Sequence, residues 1–120
     1  MTNNYISVHR WKWPLLWLIG ITWLSTRGGI PLPGFHLIGT DKLAHAAAYG
    51  LWVWLALSAV RPQKWTQALP VALFAFSYGA LMEWVQFRFF PDRFFEYDDM
   101  TANGIGSIVS MLFFIFWKNR

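Results

Sequence analysis

The stretch ALPVALFAFSYGALMEWVQFR, Ala68 to Arg88, decides how this chain is read. Apart from Ser77, Glu83 and Gln86 it is apolar or aromatic until the closing Arg88. Crossing the hydrocarbon core of a bilayer takes roughly 20 helical residues, with about 17 as the usual lower bound. Residues 68–88 meet that length, so they read as a membrane helix carrying a carboxylate and an amide three positions apart. Similar runs recur on either side, at 12–25, 43–60 and 100–117. The first is short. Pro14 suits its opening turn, where a missing N–H costs nothing, and Arg10 and Lys12 can snorkel to headgroups. The core Pro14–Leu24 also resembles a secretory signal, but Leu24-Ser25-Thr26-Arg27 lacks a small-x-small cleavage pattern, so an uncleaved helix is expected. The expected fold is a single all-α domain over residues 1–120, an integral membrane bundle of four transmembrane helices.

Composition agrees. Of 120 residues, 56% are hydrophobic, 20% aromatic and 13% charged, and that charged share is about half of a soluble domain's. The mean hydropathy of +0.33 is held down by nine Trp and four Tyr, which such scales score as mildly polar. Disorder, a collagen-like repeat and a disulfide-stapled module are excluded. With no cysteine there is no thiolate nucleophile and no Cys-ligated metal centre. A net charge of +4 would suggest nucleic acid in a soluble domain, but here Lys and Arg flank the apolar runs. Membrane lipids are the expected partners, and nucleic acid is not.

Orientation follows from positive charge, which is retained in the cytoplasm. Arg10, Lys12, Arg61, Lys64, Lys118 and Arg120 fall on one side and Arg27, Lys42, Arg88 and Arg93 on the other, six against four. Cytoplasmic N- and C-termini are therefore expected. All six acids, Asp41, Glu83, Asp92, Glu96, Asp98 and Asp99, fall on the outer side. Acids weigh little in orientation, so their asymmetry points to a site.

Three stretches would compose it. Asp41, His45 and Tyr49 are spaced four apart, on one face at the start of the second helix, with Lys42 beside them. Glu83 and Gln86 share a face at the end of the third. Asp99 and Asn103 share one at the start of the fourth, with Arg93 in the preceding loop. Ionisable groups inside a membrane segment are costly and functional by default. Each also has a plainer reading. Asp41 and Asp99 suit helix N-caps, His45 suits core packing, and Glu83 lies about one turn from Arg88 at a partly solvated helix end. Gly104 and Gly106 would admit a neighbouring helix or a headgroup. What favours a site is that topology brings all three stretches to the same outer face.

The ordered strings Asp41-Lys42-x-x-His45-x-x-x-Tyr49, Tyr78-Gly79-x-x-x-Glu83-x-x-Gln86, Pro91-x-Arg93 and Asp99-x-x-x-Asn103, followed by Gly106, resemble the VanZ-like family of small bacterial membrane proteins. They span Asp41 to Ser110. The resemblance implies a place in the cell envelope and, through the name-giving member, a link to low-level resistance to the glycopeptide antibiotic teicoplanin. Two positions depart from the pattern. Asp92 stands where a small residue often precedes the family Arg, and Ser110 where Gly is frequent.

The first expected function is binding of a polar or anionic headgroup, of a lipid or a lipid-linked envelope precursor, by Asp41, Lys42, Tyr49, Gln86, Arg93 and Asn103. The alternative is a membrane-embedded hydrolase or transferase, with His45, Glu83 and Asp99 as catalytic groups and His45 or Glu83 as acid/base. No G-x-S-x-G, HExxH or P-loop pattern accompanies them. His45, Glu83 and Asp99 also have the chemistry of an N/O ligand set for Zn²⁺ or Mn²⁺, but the sequence alone assigns no metal and calls for no cofactor. Transport ranks last, because the polar groups lie near one face and not at the midplane.

Overall fold

In a computed structural model of the chain, residues 9–26, 38–89 and 97–118 are described. They form four helices: α1 (Lys12–Thr26), α2 (Ile38–Val60), α3 (Trp65–Phe89) and α4 (Tyr97–Lys118). The all-α expectation holds. Within the last three, Lys42–Val60, Trp65–Phe89 and Tyr97–Lys118 are long and apolar enough to cross a membrane, as a multi-pass membrane protein requires. At 15 residues, α1 is about 22 Å long and falls short of a full span.

Surface chemistry agrees with lipid as the solvent. Leu73, Phe74, Leu81, Trp84, Leu112 and Phe113 are exposed on helices that are apolar all round, a pattern that suits a bilayer and not water. The interior is built from smaller groups. Ala56, Ala68, Ala72 and Ala75 are buried with Tyr49, Trp52, Val53 and Leu57. Without a hydrophobic drive between helices in lipid, close backbone approach through small residues is what holds them.

That approach is tightest between α2 and α4, the most extensively packed pair. These helices run parallel and meet where Ala46 and Gly50 face Gly106 and Ser110. A Cβ at Gly106 would lie 2.2 Å from the Ala46 carbonyl oxygen, and one at Gly50 would lie 3.0 Å from the Gly106 oxygen. Ser110 Oγ donates to the Gly50 carbonyl at 2.6 Å. Gly104 instead faces Phe76 of α3. Among the described residues α1 packs on α2 and α3, away from α4. It is fixed by Trp17 Nε1 donating to Ala48 O at 2.8 Å and Trp52 Nε1 donating to Pro14 O at 3.1 Å.

Helix ends differ from the sequence expectation by a few residues, each for a local reason. The start of α3 was expected at Ala68, yet the helix opens at Trp65. Gln67 Oε1 reaches back to accept from the N–H groups of Gln63 (2.6 Å) and Lys64 (3.3 Å), half of a capping box. Pro70 is accommodated inside α3. At the other side of this turn, Arg61 has φ 54° and Pro62 follows, so α2 cannot continue. The fourth helix opens at Tyr97 and not at Met100. Asp99 is therefore inside the first turn, where it still favours the helix dipole, and its side chain turns into the bundle.

Candidate functional site

The start of α2, the end of α3 and the start of α4 meet at one end of the bundle. There His45, Glu83 and Asp99 each place one ligand atom within 4.8 Å of the other two. Lys42, a turn before His45, forms an ion pair with Asp99 through Oδ1. The imidazole of His45 faces the other carboxylate oxygen, with Nε2 3.5 Å from Oδ2. Asp99 is thus gripped from α2 on both oxygens. Its side chain is 7% exposed, while those of Lys42 and His45 are 23% and 24% exposed, so the cluster opens towards α2's side chains and closes beneath.

Glu83 is 3% exposed. A carboxylate that deep is not the partly solvated helix end that its spacing from Arg88 allowed. Arg88 is exposed, its guanidinium 5.7 Å from the Phe89 ring centroid. The costly burial of Glu83 in an apolar helix therefore belongs to the cluster. Tyr49, one turn deeper than His45, is buried and within electrostatic reach of Tyr78 and Glu83. The Tyr78 hydroxyl in turn pairs with the Thr22 hydroxyl of α1.

Two expected ligand groups are drawn into helix packing. Gln86 is buried, and its Nε2 donates to the Ser25 carbonyl at 2.7 Å, tying the end of α3 to the end of α1. Asn103, one turn below Asp99, is 1% exposed and presses on α3 where Gly79 leaves room: a Cβ there would lie 2.6 Å from Asn103 Nδ2. Its Oδ1 is buried with no hydrogen-bond partner, which is unusual for a polar atom in a folded interior. Arg93 lies outside the described residues, as does the side chain of Asp41; Asp41 itself falls in the first turn of α2.

Sequence reasoning had Gly79 in a motif without a role, and missed the other neighbours that make these positions work. Gly79 carries no chemistry, but it is the only residue type that leaves space for Asn103 there. Ser25 serves through its backbone, and Thr22 through a hydroxyl on a helix that looked like a simple anchor. Backbone acceptors leave no mark in a sequence; Gly79, about one helical turn before Glu83 on the same face, was the available signal.

Chemically, the cluster offers two buried carboxylates, an imidazole and an ammonium at a helix-bundle rim. Such a set can hold a cation, order a polar group or shuttle a proton. Comparison with protein-family models, with curated proteins and with solved structures finds no match for this chain.

Proposed function

We propose that this chain is a VanZ-like membrane protein of the bacterial envelope that holds the polar headgroup of a lipid or lipid-linked precursor at its outer rim. The observation carrying this reading is the convergence of His45, Glu83 and Asp99 within 4.8 Å, from three helices, with Lys42 paired to Asp99. Polar side chains so costly in lipid are kept together only where they bind something or react. The motif strings from Asp41 to Ser110 support the family. In this reading α1 together with the turn of residues 9–11 before it is the fourth, short span, both termini are cytoplasmic and the protein sits in the inner membrane. The bond from Gln86 to the Ser25 carbonyl supports α1 as a span, because it ties the end of α1 to the end of α3 near the rim. A contribution to glycopeptide resistance follows from the family alone.

Lys42 and Arg93 would take the headgroup's anionic oxygens, and the buried acids would fix their surroundings. Lipid bound per chain after detergent purification tests this. Lys42→Ala and Arg93→Ala are each expected to lower retained phospholipid several-fold, whereas Lys64→Ala, at the other end of the bundle, leaves it unchanged. Equal lipid content in all four proteins would contradict the reading.

The hydrolase or transferase reading draws on the 3.5 Å approach of His45 to Asp99, the arrangement in which a carboxylate orients an imidazole base. It requires turnover of a lipid-linked substrate that disappears when His45→Ala and Glu83→Gln are combined. Turnover surviving that pair would refute it.

A further inference from the structure

We propose that His45, Glu83 and Asp99 form a binding site for one divalent transition-metal ion, Zn²⁺ or Mn²⁺, with at least one coordination position left for water or a ligand oxygen. The donor set is one imidazole and two carboxylates without a thiolate, which suits these ions and not Cu(I) or iron–sulfur clusters. An ion with bonds of about 2.0–2.1 Å in tetrahedral geometry holds its ligands about 3.3–3.4 Å apart. His45 Nε2 and Asp99 Oδ2 are already 3.5 Å apart, and all three ligand atoms lie within 4.8 Å. Small side-chain movements, with no shift of helices, would close the set around an ion.

The partition of Asp99 strengthens the case. Lys42 occupies Oδ1 and leaves Oδ2 facing His45. A metal on Oδ2 keeps Lys42 as an outer partner that holds the carboxylate in orientation, the arrangement that raises the quality of metal sites. Burial adds an electrostatic reason. Glu83 and Asp99 are 3% and 5% exposed, and an ion between two carboxylates this close would add to the positive charge that Lys42 already brings to Asp99.

A second, independent feature points to a ligand beneath the cluster. Asn103 lies one turn below Asp99 and against Gly79, one turn below Glu83, and its buried Oδ1 has no hydrogen-bond partner. Water bound to an ion in the cluster would offer a donor to that orphaned oxygen. The site stands on these residues and not on the headgroup reading. A bound ion would nonetheless give a phosphate the positive charge it needs beside two carboxylates.

The test uses the full chain, without a polyhistidine tag, in detergent after chelator treatment. Zn²⁺ and Mn²⁺ are titrated separately by calorimetry, and equilibrium dialysis with elemental analysis gives stoichiometry. One ion per chain is expected. His45→Ala and the near-isosteric Glu83→Gln and Asp99→Asn should each weaken binding at least about tenfold, with helical circular dichroism retained, while Lys64→Ala binds as wild type does. If a variant fails to fold, electron paramagnetic resonance of Mn²⁺ on the wild-type chain decides: a bound-ion signal that Zn²⁺ displaces supports the site. A folded wild-type chain with less than about a tenth of an ion bound at saturating metal would overturn the proposal, as would wild-type affinity in all three ligand variants. Phospholipid content of the metal-free chain is measured alongside, so loss of the metal site and loss of the headgroup reading register separately.

Discussion

Gly106→Ala is expected to cost about 3 kcal/mol or more of bundle stability, the upper end of overpacking effects. The added methyl would lie 2.2 Å from the Ala46 carbonyl oxygen and 2.7 Å from its carbonyl carbon and Cα. Those are backbone atoms of a helix, so no rotamer change relieves the clash. Helices α2 and α4 must separate, and the hydrogen bond from Ser110 to the Gly50 carbonyl goes with them. The intrinsic preference of a helix for Ala over Gly returns only about 1 kcal/mol. Two other glycines serve as controls in the same unfolding experiment, followed by circular dichroism in detergent. At Gly104 the methyl meets the ring of Phe76 at 2.9 Å. That ring is half-exposed and can turn, so Gly104→Ala should cost less than about 1 kcal/mol. At Gly20 nothing lies within 4 Å, and Gly20→Ala should be neutral or stabilising by up to about 1 kcal/mol. Equal effects at all three positions would show that α2 and α4 do not cross at Gly106.

Asp99→Ala is the second large effect, about 2–3 kcal/mol, below the full penalty for breaking a buried ion pair because Lys42 is part-exposed. It strips Lys42 and His45 of their shared carboxylate. The double variant Lys42→Met with Asp99→Leu removes the ion pair as a whole and replaces it with apolar side chains of similar bulk. Such replacements are often neutral or stabilising, so the double variant should recover most of the lost stability. It should still lack the chemistry of the site, in metal uptake and in lipid retention alike. This separates what the pair does for folding from what it does for function. If the double variant is as unstable as Asp99→Ala, the pair is not coupled as the geometry requires.

Much of the architecture was legible because membrane burial writes a coarse signal. The run Ala68–Arg88 is too long and too apolar to be anything but a helix, and Glu83 and Gln86 stand out against it for the same reason. Spacing by four placed His45 and Asp99 on helical faces that could meet, with Lys42 beside His45, and they do meet. The helix starts were harder. Thr66 and Gln67 look like loop residues, yet Gln67 caps α3, because a polar side chain in the first turn can serve the backbone of its own helix. Likewise Asp99 has the chemistry of a cap, but Tyr97 and Asp98 already start the helix and free it to enter the bundle.

Positions that depend on a crossing point were illegible in principle. Gly104 and Gly106 look alike to helix packing in one dimension, although the motif strings carry Gly106 alone, and of the two only Gly106 touches another backbone. Trp52 and Trp84 both lie within apolar helices. Trp52 is buried and bonded to Pro14, whereas Trp84 is half-exposed. Gln86 read as a ligand group because its partner, a carbonyl of α1, carries no identity in a sequence.

The convergence of three helices on one cluster is the claim from which the rest follows, and the chain's lack of cysteine makes it directly measurable. A His45→Cys/Glu83→Cys double variant keeps the Lys42–Asp99 pair and can be treated in native membranes with a short bifunctional thiol reagent. The account predicts efficient cross-linking within one chain, far above that of a Lys64→Cys/Glu83→Cys pair, one member just before the start of α3 and the other near its end. Cross-linking of the first pair no better than the second, in a chain that still folds, would contradict it.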